Sequence, residues 1–156
     1  MQQEAFAEQC SERAQRQHWL AVLARAATGE LEAFWAQTQP SELVLLRQPE
    51  IGLVMARGRA GGTGGRFNLG EITVTRCAVR GADGHIGHGY VAGRDKRKAE
   101  LVASFDALLQ APERRAALLE RVVTPLAAAQ ASQRASRARK AAATRVEFFT
   151  LARGGG

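Results

Sequence analysis

The sequence predicts a single α+β domain in which a small antiparallel sheet is flanked by N-terminal helices and a long C-terminal helix. Three observations carry this. The first 27 residues contain no Gly or Pro and are rich in Ala, Gln, Glu and Arg, which are good helix formers. The segment EITVTRCAVR (Glu71–Arg80) alternates side chains in the manner of a half-buried strand and is followed by a turn and a second strand-like run. Beyond Asp95 the chain returns to helical spacing, ending in an alanine-rich, basic stretch. A chain of 156 residues fits one domain and buries roughly two-thirds of its unfolded surface. Within it, residues 1–39 read as N-terminal helices, 40–110 as sheet and packed helix, and 111–156 as C-terminal helices and tail.

In the first helix, from Gln2 to Ala27, Phe6, Cys10, Leu20 and Leu23 fall near helical spacing. Thr28-Gly29 breaks it, and a short second helix sets Leu31, Phe34 and Trp35 on one side before Pro40 closes the unit. Trp19 and Trp35 are expected in the core. Leu43–Leu46 and Ile51–Met55 are two short apolar runs separated by Pro49. In Glu71–Arg80, Ile72, Val74, Arg76 and Ala78 lie opposite Thr73, Thr75, Cys77 and Val79. Ala82-Asp83-Gly84 reads as a turn, and His85–Ala92 as the antiparallel partner.

Asp95 is placed to cap the next helix, whose Leu101, Val102, Phe105, Leu108 and Leu109 form an apolar stripe. Pro112 suits the first turn of a further helix, and Pro125 is expected to kink or interrupt it. Ala127–Thr144 has high helix propensity but a thin apolar face, which suits packing on another chain. Val146–Leu151 reads as a strand or a docking segment, and Gly154–Gly156 as a mobile tail.

The formal net charge of +7 is unevenly placed. Residues 1–40 carry three basic and five acidic side chains, residues 41–92 six and four, and residues 93–156 thirteen and six. An anionic partner is therefore expected, whether nucleic acid, phosphorylated substrate or acidic protein surface. No apolar run reaches the ~20 residues a membrane span needs, and the N-terminus lacks signal-peptide character, so a cytoplasmic location is expected. In that reducing compartment Cys10 and Cys77 are expected as unpaired, buried thiols. Neither belongs to a C-x-x-C pair, which leaves zinc or iron–sulfur ligation without local support.

The most unusual local feature is RGRAGGTGGRFNLGE (Arg57–Glu71), with five glycines in eight positions and arginines on both sides. Bare backbone amides and flanking guanidinium groups can cradle phosphate. The same glycines equally suit a flexible hairpin connection that accommodates a partner. The stretch is neither a Walker A loop, lacking Gly-Lys-Ser/Thr, nor a dinucleotide fingerprint, which opens a helix. His85 and His88 lie three apart, so in a strand they point to opposite faces and do not share a metal ion. The cluster Arg94-Asp95-Lys96-Arg97-Lys98 places cations at a helix start, against the macrodipole. It is either solvated or set for an anion. Arg134, Arg137, Arg139 and Lys140 suit a solvated or partner-facing surface.

Three blocks, RGRAGGTGGRFNLGEITVTRCAVR, GHGYVAGRDKRKAEL and ATRVEFFTLARG, together with WLAVLARA, resemble the PhnG family of the bacterial carbon–phosphorus lyase system. The resemblance runs over nearly the whole chain and is most specific through residues 57–109, above all in the block Phe67–Arg76. It implies a hetero-oligomer with PhnH, PhnI and PhnJ, acting with PhnL. It further implies that the complex displaces adenine from MgATP by an alkylphosphonate, giving α-D-ribose 1-methylphosphonate 5-triphosphate. In that reading this subunit is an accessory without a catalytic residue, metal or cofactor of its own, MgATP being the substrate of the complex. No membrane or nucleic-acid partner is implied.

Candidate contacts with an anionic substrate or a partner are Arg57, Arg66, Asn68, Glu71, Arg94, Asp95 and Lys96. Antiparallel pairing of Glu71–Arg80 with His85–Ala92 is expected to gather Arg66 and Arg94 at one sheet edge beside a helix N-terminus. The rival reading is a nucleic-acid-binding module. Charge favours it, but the basic clusters lack interleaved aromatics and Tyr90 is the sole tyrosine.

Overall fold

In a computed structural model, residues 2–38 and 42–143 are described, with side chains from Ser11 onward. The expectations for Cys10, Pro40, Val146–Leu151 and the glycine tail concern positions outside that description. Helices α1 (Gln2–Arg25) and α2 (Thr28–Ala36) precede three strands, β1 (Leu43–Arg59), β2 (Arg66–Gly81) and β3 (Ile86–Ala92). Helices α3 (Lys96–Gln110), α4 (Pro112–Leu118) and α5 (Thr124–Ala143) follow, with a π-helical turn, Leu119–Val123, between the last two.

The strands form an antiparallel meander in the order β1-β2-β3. Thr75, Cys77 and Val79 on β2 stand opposite Val91, Gly89 and Gly87 on β3, and this inner face is covered by α3. The alternation read from EITVTRCAVR is thus the alternation between core and outer face. Helix α3 is buried from Leu101 through Leu109. Around it close Trp19, Val22 and Leu23 of α1, Leu31 of α2, and Val122, Val123 and Leu126 near the C-terminal end. Trp35 meets the Phe105 ring edge-on at 5.2 Å.

Two glycines set the distance between α3 and the sheet. A Cβ on Gly87 would lie 1.9 Å from the Ala103 carbonyl oxygen, and one on Gly89 would lie 1.9 Å from that of Ala99. The Gly-His-Gly of β3 faces the small residues Ala99, Ala103 and Ala107, so helix and strand backbones meet directly.

The same junction is pinned by a buried carboxylate. Asp106 is fully buried and accepts from Arg16 Nε (3.1 Å), Arg16 Nη2 (2.7 Å), Trp19 Nε1 (2.9 Å) and the His88 backbone N–H (2.9 Å). Four donors from α1 and β3 compensate its desolvation, tying both elements to α3.

The structure corrects the sequence reading in one place. The runs at Leu43–Leu46 and Ile51–Met55 belong to one continuous strand, and Pro49 sits where the β1–β2 register shifts between Arg47 and Glu50. There it removes no required ladder bond, and β1 is an edge strand, where proline is tolerated. Pro125 follows an interruption of the α-helical pattern, as expected. The turn before it widens, so that the Thr124 N–H reaches back to the Leu119 carbonyl, and α5 continues to Ala143. Pro112 occupies the first turn of α4 as expected.

Candidate functional site

Strands β1 and β2 outrun β3. Only Val74–Arg80 pairs with β3, whereas Leu53–Arg59 and Arg66–Thr73 pair with each other alone. They form a two-stranded ribbon beyond the three-stranded body. From Thr73 to Arg66 the strand advances seven residue steps, about 23 Å at the ~3.3 Å rise per residue.

Register divides the ribbon into two faces. Ile51, Leu53, Met55, Arg57 and Arg59 alternate along β1 and stand opposite Thr75, Thr73, Glu71, Asn68 and Arg66. That face is apolar near the body and cationic at the tip. The other face carries Val54, opposite Ile72, and Gly58, opposite Phe67. A Cβ built on Gly58 would touch the Phe67 ring at 3.5 Å and Leu69 at 4.0 Å. Leu69 falls at the register shift between Ala56 and Arg57. The ribbon exposes Leu53, Met55, Phe67, Leu69 and Ile72, with Leu53 62% and Leu69 69% accessible. A two-stranded ribbon with apolar side chains on both faces lacks the third layer that normally stabilises such a pair.

The tip is a short turn. The Gly64 N–H donates to the Ala60 carbonyl at 2.9 Å, and Gly61 and Gly62 adopt positive φ of 58° and 81°, where glycine carries no Cβ penalty. Most of the glycine-rich stretch is therefore strand rather than loop: Gly58 and Gly70 lie within β1 and β2, and only residues 60–65 turn. Arg59 stands directly across from Arg66, and Arg57 from Asn68. Nearer the body, Arg47 and Arg76 share Glu50, at 2.8 and 2.9 Å. Among the described residues, none of Arg57, Arg59 and Arg66 has a carboxylate partner.

The expected meeting of Arg66 and Arg94 does not occur. The Gly93 N–H donates to the Thr73 carbonyl at 2.8 Å, so Arg94, Asp95 and Lys96 mark the base of the ribbon. Arg66 stands at its tip, because the strand pairing continues beyond the end of β3. The candidates thus form two groups, Arg57, Arg66 and Asn68 outward and Arg94, Asp95 and Lys96 inward, with Glu71 between them opposite Met55.

In the inner group Asp95 is structurally engaged. Its carboxylate accepts the Lys98 N–H at 2.9 Å as N-cap of α3 and also accepts the Thr28 hydroxyl. The Thr28 hydrogen bond, then that from Lys98, holds its carboxyl below the ordinary 3.8. Arg97 pairs with Glu32 and Glu100, and burial pulls the Lys98 ammonium below its ordinary value. Arg94 and Lys96 remain exposed.

Cys77 is a free, buried thiol whose Sγ donates to the Arg47 carbonyl at 3.4 Å. Burial, reinforced by Glu100, pushes its pKa up to about 11. His88 is exposed on the outer face of β3, and His85 lies in the turn before it. Among the described residues no group of three His, Cys, Asp or Glu side chains is placed to hold a metal ion, and no helix is long and apolar enough to cross a membrane.

Sequence reading missed three features of this arrangement. The ribbon's reach depends on where β3 stops, which no local motif records. Arg59 was passed over although its i, i+2 spacing from Arg57 marks a shared strand face. Asp106, a lone acid within an apolar helical stripe, is the visible sign of the ion pair with Arg16.

Comparison with known proteins agrees with the resemblance carried by the central blocks. The family model for phosphonate metabolism protein PhnG matches residues 14–154. A relative from Rhizobium meliloti (strain 1021), named alpha-D-ribose 1-methylphosphonate 5-triphosphate synthase subunit PhnG, is 46% identical over 142 residues, covering 90% of each chain. The chain belongs to the PhnG family.

Proposed function

We propose that this chain is the accessory PhnG subunit of a carbon–phosphorus lyase core complex, and that the ribbon is the element by which it docks on companion subunits. The complex would join a phosphonate to the ribose of MgATP. A phosphonate oxygen bonds to the anomeric carbon, the bond from that carbon to the adenine nitrogen breaks, and adenine leaves with that electron pair. The product is α-D-ribose 1-methylphosphonate 5-triphosphate. PhnI, PhnH and PhnJ would be the companions, with PhnL joining for the transfer, and the reaction centre would lie on them.

The observation that carries the docking reading is the apolar ribbon. Five large hydrophobic side chains on its two faces are exposed, and the relative's name describes it as one subunit of a synthase. Helix α5 supports the same reading, since Leu126 is its one buried residue among those described. Leu53→Asp combined with Leu69→Asp is expected to abolish co-purification with the companion subunits. The body of the variant should still unfold cooperatively, because both side chains project from the ribbon rather than into the core. Undiminished assembly of this variant refutes the docking role.

A further inference from the structure

We propose that the ribbon tip is a polyphosphate-binding site in which Arg57, Arg59 and Arg66 hold the triphosphate chain of the nucleotide. The inference rests on the subunit reading above and adds the ligand chemistry of one surface. The three guanidinium groups project from one face of the tip, fixed by the cross-strand pairing of Arg59 with Arg66 and the alternation of Arg57 with Arg59. Arg57 and Arg59 lie two positions apart, about 6.6 Å along the strand, close enough for both long side chains to meet one short polyphosphate chain. Together with Gly58 they line an open recess of about 360 Å³.

Like charges directly opposite each other across a strand pair are destabilising. On the same two strands, Arg47 and Arg76 are relieved by Glu50, whereas the tip cluster has no carboxylate among the described residues. Covering the ribbon with a companion subunit would remove water from these cations and raise the cost of leaving them unpaired. A polyanion offsets that cost, and bidentate guanidinium–phosphate contacts are strong and geometrically selective.

The turn adds access. Gly61, Gly62 and Gly65 have no atom within 4 Å of a built Cβ, so phosphate oxygens can approach the backbone without meeting side chains. The face also distinguishes phosphate from base recognition. Phe67 packs beside Gly58 on the opposite side of the ribbon, leaving the arginine face without the aromatic platform that nucleic-acid stacking uses.

The test compares the assembled complex carrying wild-type subunit with one carrying Arg57→Ala, Arg59→Ala and Arg66→Ala together. Assembly is followed by size-exclusion chromatography, binding of inorganic tripolyphosphate by calorimetry, and KM for MgATP by adenine release. Assembly is expected to persist, while tripolyphosphate affinity falls and KM for MgATP rises, each by about tenfold or more. The triple Arg→Lys variant should recover part of both losses. Unchanged tripolyphosphate affinity, or no binding by the wild-type complex, overturns the proposal. Dissociation of the alanine variant overturns it too, since the arginines would then be meeting acidic side chains of a neighbour. Absence of adenine release from a fully assembled wild-type complex would instead contradict the subunit reading, and the tripolyphosphate measurement would still decide the site.

Discussion

Replacing Gly89 by Ala tests the central joint of the fold. The new Cβ would stand 1.9 Å from the Ala99 carbonyl oxygen, 2.8 Å from its carbonyl carbon and 3.2 Å from the Ala103 nitrogen. Carbon and oxygen normally approach no closer than about 3.3 Å, so α3 and β3 must separate by roughly 1.4 Å at this point. The opposing atoms are helix backbone, and no side-chain rotation relieves the clash. Helix α3 cannot retreat freely because residues 101–109 are buried on it. Overpacking of this kind costs about 1–3 kcal/mol, and a backbone-to-backbone clash belongs at the upper end. For a chain of this size, about 3 kcal/mol lowers Tm by roughly 6–12 °C. Gly52→Ala supplies the control. Its built Cβ has open space on every side, so substitution there should leave stability unchanged or raise it by a few tenths of a kcal/mol. Thermal unfolding followed by circular dichroism reads both. If Gly89→Ala melts within about a degree of Gly52→Ala, the close approach of α3 to β3 is wrong.

Asp95→Ala removes the α3 cap and the Thr28 contact, and should cost about 1–2 kcal/mol in chemical denaturation; an unchanged midpoint would contradict the cap. Because the folded-state pKa of Asp95 lies below the ordinary 3.8, its carboxylate contributes stability above that pH. The contribution is lost as pH falls through the folded value, so the Ala variant should lose its deficit relative to wild type in strong acid. Cys77 should resist a thiol-specific reagent at pH 8 until denaturant is added, and rapid labelling of the folded chain would contradict its burial. Its pKa of about 11 exceeds the ordinary 9.0. The unfolded thiol therefore ionises first, and the residue should make stability decline between pH 9 and 11. Cys77→Ala should flatten that decline.

Local chemistry made part of this structure legible. β-branched alternation through Glu71–Arg80 located the middle strand, and Asp95 followed by the Leu101–Leu109 stripe located the central helix and its start. The ribbon was harder to read because Gly58 and Gly70 resemble loop residues, yet cross-strand pairing holds them extended. Pro49 split the first strand in sequence, whereas an edge position and a register shift absorb it in space. Gly87 and Gly89 read as an ordinary strand because their requirement comes from Ala99 and Ala103 across the core. The pairing of Arg16 with Asp106 spans 90 positions, a separation at which only the fold brings the two together. At the candidate site, residue types were visible but their grouping was not. Arg66 and Arg94 share a sheet end only if the strands stop together, and β2 continues past β3.

Hydrogen–deuterium exchange tests the assembly role of the ribbon most directly. Amides of residues 53–59 and 66–73 should exchange readily in the isolated subunit, where a two-stranded ribbon has little support. In the assembled complex they should become strongly protected, while amides of α3, already buried, change little. Equal exchange of the ribbon in the free and assembled states would contradict its role as the docking element.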